Sequence, residues 1–138
     1  MKFTLKWLDE YVPVENLAPA YLADGLTMLG LEVDAVHDIG RDIRGIITAR
    51  IERVKPHPGA DRLTLCEVDT GTQTIQVVCG APNAREGMIT ALALPGVTLP
   101  DGMKIKKAKV RGQESRGMLC SGVELGISED HSGILDIS

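Results

Sequence analysis

Between residues 46 and 111 the chain alternates short apolar stretches with turn sequences, and this alternation constrains the fold more than any other feature. The stretches are rich in Ile, Val, Leu and Thr, and clusters of Gly, Pro, Asn and Asp separate them, as expected for strands and turns. The predicted strands span residues 46–54, 63–69, 74–79, 88–94 and 104–111. Five short strands at this spacing favour a small closed β-barrel.

The fifth predicted strand is inconsistent with a regular alternation of faces. Ile105 lies on one face, whereas Ala108 and Val110 lie on the other, so a period of two cannot turn all three inward. A bulge near residues 106–107 resolves the conflict. The outer face is then predicted to carry Lys107, Lys109 and Arg111.

The first 38 residues have a different, helical pattern. Thr4 is a candidate N-cap for a short helix that Pro13 ends. Pro19 fits the first position of a second helix, and Gly30 fits its C-terminal stop. Alternation over residues 31–35 predicts a strand.

These patterns predict two parts and a mainly β fold. Residues 1–38 are expected to form an N-terminal helix–helix–strand segment. Residues 39–138 are expected to form the barrel domain.

Charge is distributed unevenly along the chain. The net charge is −4, yet residues 104–116 hold six cations and one acid, a local charge of +5 that leaves −9 elsewhere. Lys and Arg can neutralise phosphates, so this run is a candidate RNA-binding site. The alternative is a solvated strand face that prevents edge-to-edge association. With two serines of the adjoining glycine-flanked stretch, the candidate RNA-binding residues are Lys104, Lys106, Lys107, Lys109, Arg111, Ser115, Arg116 and Ser121.

Two Asn/Ser-x-x-Glu spacings predict capped turns, Asn83 to Glu86 and Ser121 to Glu124. The turn after Ser121 could instead hold an anion such as phosphate. All four aromatic residues precede residue 22, so the barrel has none on which bases could stack. Any RNA contact should therefore be to backbone and shape, and should be sensitive to salt.

No catalytic or metal-binding constellation is visible in the sequence. The three histidines and three cysteines lack zinc-site spacing, and residues 80–87 lack the Lys-Ser/Thr of a phosphate loop. An odd number of cysteines without a CxxC motif is typical of reduced, buried thiols in a cytoplasmic protein. A cytoplasmic location is therefore expected.

Four ordered blocks resemble the tRNA-binding OB-fold module of the EMAP-II type. They cover residues 57–63, 66–71, 77–83 and 111–126. Residues 1–12 and 28–34 resemble the start of the bacterial phenylalanine–tRNA ligase beta subunit. The resemblance implies a five-stranded OB-fold barrel preceded by a helical segment, and an N-terminal piece of a much longer subunit.

The resemblance also implies a context for this piece. The family enzyme is an α2β2 tetramer that uses ATP, Mg²⁺, phenylalanine and tRNA(Phe). Its aminoacylation site lies in the alpha subunit, its editing site in later beta domains, and its anticodon reader in a C-terminal beta domain. The present chain is therefore expected to carry no catalytic site and no cofactor of its own.

Three functions remain open from the sequence. The first is an RNA-binding accessory module that supports charging of tRNA(Phe). The second is a structural or docking module for subunit assembly or another partner. The third is a stand-alone tRNA-binding chaperone.

Overall fold

The computed structural model describes residues 1–38 and 40–138. The predicted domain start at residue 39 lies outside the described residues. The chain divides into two compact units, Met1–Ile39 and Gly40–Ser138, here called unit 1 and unit 2.

Unit 1 contains two helices, α1 (Leu5–Asp9) and α2 (Pro19–Met28). The predicted cap of α1 is confirmed, because Trp7 N donates to Thr4 Oγ1 at 3.1 Å. Pro19 opens α2 as predicted, and Gly30 follows its end with φ 87°. Neither helix in the described ranges has the length and apolar character needed to span a membrane.

The strand predicted over residues 31–35 is wrong. None of the described residues 31–38 is in a strand. Val33 N instead donates to the Thr27 hydroxyl at 3.4 Å, back toward α2. An alternating pattern forms a strand only where a partner strand takes up its backbone groups, and unit 1 offers none among its described residues.

Unit 2 begins with a 3₁₀ turn, Arg41–Ile43, and continues through seven strands. The strands are β1 (Ile46–His57), β2 (Ala60–Asp69), β3 (Thr74–Cys79), β4 (Ile89–Ala93), β5 (Ala108–Val110), β6 (Gln113–Ser115) and β7 (Met118–Leu119). Five of them form one antiparallel sheet in the order β3-β2-β1-β4-β7. β5 and β6 form a separate hairpin.

The mainly β class is thus confirmed, although strand pairing in the described residues leaves the sheet open, with β3 and β7 at its edges. The core lies on the inward face of the long strands. Its centre contains fully buried Ile51, Val68, Val77 and Leu92. The three cysteines are free and buried, as predicted from their number and spacing.

The fifth strand predicted over residues 104–111 is interrupted at residues 106–107, where the bulge was predicted, and only Ala108–Val110 forms a strand. Lys104 forms a single bridge with Thr98, and Ile105 N donates to Val97 O at 2.8 Å. Pairing then stops and resumes only in β5, against β6. Ile105 is buried, so the first part of the segment is held against the core. The charged residues 106–107 stay in solvent, and the chain leaves the strand direction there.

Candidate nucleic-acid interface

The β5–β6 hairpin is the centre of the candidate interface. Its strands pair Val110 with Gln113 and Lys109 with Glu114, so only Arg111 and Gly112 form the turn. Both turn residues have positive φ, 47° and 87°. This is the backbone of a two-residue type I′ turn, which normally takes Asn-Gly or Asp-Gly. Arg111 is the only non-glycine residue with positive φ among the described residues.

His57 fastens this hairpin to the tip of the β1–β2 hairpin. Gly59 N donates to His57 Nδ1 at 3.0 Å, so Nδ1 is an acceptor and Nε2 carries the proton. His57 Nε2 then donates to the Val110 carbonyl oxygen, also at 3.0 Å. The imidazole is 5% exposed. The candidate interface therefore rests on a buried, fully bonded side chain.

All six predicted cations are exposed. They extend from the bridge at Lys104, through the irregular residues 106–107, along β5, around the turn and past the end of β6. With their flexible stems and without a cavity around them, these side chains can follow an extended anion. The members of this group, called the basic strip, are Lys104, Lys106, Lys107, Lys109, Arg111 and Arg116.

One carboxylate lies within the basic strip. Arg116 Nε lies 3.0 Å from Glu114 Oε1, and Arg116 Nη2 lies 3.3 Å from Glu114 Oε2, a two-point ion pair. The hydrogen bonds from Arg116 lower the pKa of Glu114, and the charges of Lys107 and Lys109 lower this pKa further. Glu114 therefore stays ionised among three cations.

Ser115 is buried, and its hydroxyl bonds only within the protein. Its Oγ accepts from Val78 N at 3.0 Å and donates to Gly117 O at 3.0 Å. Gln76 adds two bonds, because its O accepts from Arg116 N at 2.9 Å and its Nε2 donates to Glu114 O at 2.8 Å. The open edge of β3 is thus tied to residues 114–117.

Gly117 brings the same segment into close contact with β4. A Cβ placed on Gly117 would lie 2.9 Å from the Ala93 carbonyl oxygen and 3.1 Å from Leu92 Cδ1. The backbone therefore approaches β4 more closely than any side chain allows. Residues 115–117 join the edge of β3 to β4, which explains the serine and the glycine of this Ser-Arg-Gly sequence.

Ser121 has the capping role predicted for it. Ser121 N and Oγ donate to Glu124 Oε2 at 2.7 and 2.9 Å, and Glu124 N donates back to Ser121 Oγ at 3.2 Å. The turn ends at Gly126, whose φ is 67°. The other predicted capped turn is wrong, because the Asn83 side chain bonds to both Ile134 N and Ile134 O instead.

Sequence reasoning missed the contact of His57 with Val110 and the turn at Arg111. A usable signal existed for the turn, because Arg-Gly stands between two strand-forming triplets, where type I′ turns place a residue followed by Gly. No local signal marks the His57 contact, since its partner lies 53 residues away.

The hairpin thus presents a row of exposed cations, and unit 2 has no aromatic residue on which bases could stack. Comparison with known families assigns the chain to a class. Residues 46–138 match the family described as "Putative tRNA binding domain". The chain belongs to this tRNA-binding domain family.

The most similar relatives found include three that share one name. The chain is 54% identical over 137 residues to "Phenylalanine--tRNA ligase beta subunit" of Desulfotalea psychrophila. It is 49% identical to proteins of the same name from Syntrophus aciditrophicus and Rhodospirillum rubrum. Each alignment covers 98–99% of this chain and 17% of the relative. The chain thus spans about a sixth of the length of these curated relatives.

Proposed function

We propose that this chain is the N-terminal tRNA-binding module of a phenylalanine–tRNA ligase beta subunit, in the cytoplasm, and that it supports ATP-dependent charging of tRNA(Phe). The alpha subunit is its proposed partner in an α2β2 enzyme. On this proposal, other parts of that enzyme carry out aminoacylation with ATP and Mg²⁺. The module itself binds and does not catalyse.

The proposal assigns unit 2 an OB-fold barrel that covers residues 39–138, with residues 1–38 as a separate leading segment. The bonds of Ser115 and Gln76 support it, because they fasten the open edge of β3 to the segment that leads into β7. On this proposal these bonds close the sheet into a partly open barrel, as in that fold.

The observation that carries the RNA-binding role is the basic strip itself. Its cations are exposed, and they are held on a hairpin that His57 anchors. Since unit 2 contains no aromatic residue, the strip is proposed to contact phosphates and duplex shape rather than bases. Ser115 is proposed to position the strip through the bonds described above. Ser121, which caps its own turn, remains a proposed RNA-binding residue.

Replacement of strip lysines tests this role. We expect Lys107→Ala with Lys109→Ala to weaken tRNA binding by the natural full-length protein and to reduce the slope of log K against log salt by about 1.5 to 2. Arg50→Ala with Arg62→Ala is the matched control, because it removes two exposed cations from the same unit. Equal affinity and equal slope in both double variants would contradict the proposal.

A docking role is the second candidate, and unit 1 favours it. Val14 is the only buried residue among described residues 1–38, whereas the four aromatic side chains and most of the large apolar ones are exposed. Trp7 and Tyr11 pack edge to face with centroids 6.0 Å apart, yet both remain more than half exposed. Apolar exposure of this extent is typical of an interface.

Substitutions in unit 1 separate the two candidates. If the unit docks the alpha subunit, Trp7→Ser with Tyr21→Ser should reduce recovery of that subunit with the tagged protein and leave the salt slope of RNA binding unchanged. Full recovery of the alpha subunit would exclude this docking role.

A further inference from the structure

Glu114 is the one acid within residues 104–116, and its position is specific. The strand register places it directly opposite Lys109, and its two oxygens engage Arg116 at 3.0 and 3.3 Å. Directly opposed residues of an antiparallel pair have Cβ atoms about 5 Å apart. A carboxylate thus lies within the basic strip, opposite Lys109 and paired with Arg116.

The chemistry of this arrangement matches that of a phosphate contact. A guanidinium binds a carboxylate and a phosphate with the same two-point geometry, and a lysine next to either anion adds a point charge. An RNA phosphate that approached the outer face of the hairpin would therefore meet groups that Glu114 already occupies. It would also meet the like charge of Glu114, which is unfavourable at short distance.

Stability of the hairpin does not require this carboxylate. The backbone of Glu114 carries the structural bond, since Gln76 Nε2 donates to its carbonyl oxygen at 2.8 Å. The Glu114–Arg116 ion pair is exposed, with about half of each side chain accessible. Exposed pairs of this kind contribute little to folding. A role for the carboxylate outside folding is therefore open.

We propose that Glu114 is a built-in competitor of the RNA phosphate, which occupies Arg116 and thereby limits the affinity of the basic strip for RNA. The inference rests on the proposed function, and it names a regulation of the same site. In the free protein Arg116 is paired with Glu114. A ligand displaces Glu114 from Arg116 only when its other phosphates are already bound to the strip. Glu114 therefore weakens the binding of polyanions whose phosphates do not match the strip.

If Glu114 competes with RNA for Arg116, substitutions of Glu114 and Arg116 should have non-additive effects on RNA affinity. A mere change of net charge would give additive effects. In the natural full-length protein, Glu114→Gln should tighten binding to tRNA about fivefold near physiological salt and steepen the salt slope by about one. Arg116→Ala should have a small effect alone, because Arg116 is occupied. The same change in the Glu114→Gln background should remove most of the gain.

Glu67→Gln is the matched control. Glu67 is also an exposed strand carboxylate paired with cations, because Lys55 Nζ lies 2.7 Å and Arg53 Nε 4.0 Å from its oxygens. Both substitutions change the net charge by the same amount. A larger gain for Glu114→Gln than for Glu67→Gln supports the competitor role, and urea unfolding midpoints within experimental error exclude a folding effect.

The outcomes separate the inference from the function on which it rests. If the strip lysines are needed for tRNA binding but the two Gln variants behave alike, the competitor role is wrong and the function stands. Additive effects of Glu114→Gln and Arg116→Ala also overturn the competitor role. If neither the lysine variants nor the Gln variants change tRNA binding, both the function and the inference are wrong.

Discussion

His57 Nε2 donates a hydrogen bond of 3.0 Å to the carbonyl oxygen of Val110, and this bond joins the turn ends of two hairpins. The block 57–63 is therefore held, through one buried imidazole, to the residue that directly precedes the block 111–126. The shape of the candidate interface depends on that contact, since Val110 directly precedes the turn that presents Arg111.

Loss of the imidazole should loosen the hairpin. His57→Ala leaves the half-buried Val110 carbonyl and the exposed Gly59 amide without their partner, and the lost hydrogen bonds cost about 1 kcal/mol. We expect a lower urea midpoint and faster amide exchange in residues 108–115. His131→Ala, at an exposed histidine, is the control and should leave both unchanged. Equal exchange in the two variants would show that His57 does not anchor the hairpin.

Addition of one methyl group at Gly117 should destabilise unit 2. A Cβ there meets the Ala93 carbonyl oxygen at 2.9 Å, and overpacking of this kind costs roughly 1–3 kcal/mol. Gly59→Ala is the matched control, because its nearest neighbours lie at 3.7–3.8 Å, an ordinary contact. Chemical unfolding of both variants tests the difference, and similar midpoints would refute the close approach.

Removal of the Ser115 hydroxyl should open the β3 edge. Ser115→Ala leaves Val78 N without its acceptor in a part-buried position, at a cost of about 1–3 kcal/mol. Thr74→Ala, at an exposed position of the same edge strand, should cost only a few tenths. Amide exchange at Val78 is the direct measurement, and its protection should fall only in the Ser115 variant.

The turn at Arg111 predicts opposite changes in stability and binding. Asn adopts positive φ more readily than Arg, so Arg111→Asn should stabilise unit 2 by a few tenths to about 1 kcal/mol. The same change should weaken tRNA binding and lower the salt slope by about one. Arg62→Asn removes a charge without changing a turn, so it should neither stabilise unit 2 nor weaken tRNA binding. A variant that is less stable than the parent would contradict the turn assignment.

Acid should break the ion pair between Arg85 and Asp136 over a defined pH range. The hydrogen bond from Arg85 Nη2, 2.7 Å long, and the bonds from Ser138 lower the pKa of Asp136 from its ordinary value of 3.8 to about 2. A lowered pKa in the folded state contributes stability above pH 4 that is lost as the pH falls from about 4 to about 2. NMR titration should show this pKa, and Arg85→Gln should return it toward 3.8.

The sequence predicted much of the fold because its turn signals are strong and local. The predicted bounds of β3 agree with the structure, and the caps at Thr4 and Ser121 form as their spacing indicates. The failures share one cause. Asn83 bonds to Ile134 rather than to its own turn, and Ile105 follows the second core cluster rather than its strand neighbours. Partners far along the chain outweighed local preference in both cases.

The candidate site was predictable in composition but not in geometry. A count of charges identifies the basic strip. It does not reveal that Glu114 holds Arg116, or that Ser115 points inward to Val78. The Ser115 contact depends on which face of β6 turns toward β3, and strand register across 37 residues has no local sequence signal.

The tie between β3 and residues 114–117 has a consequence for the order of folding. Its bonds close loops of 37 and 38 residues, whereas β1, β2 and β3 are joined through short hairpin turns. Loop-closure entropy favours local pairing first, so the three-stranded meander should form early and the closing bonds late. The residues by which the family is most readily recognised are then among the last to reach their native positions, and a nascent chain must emerge as far as Gly117 before its β3 edge is protected.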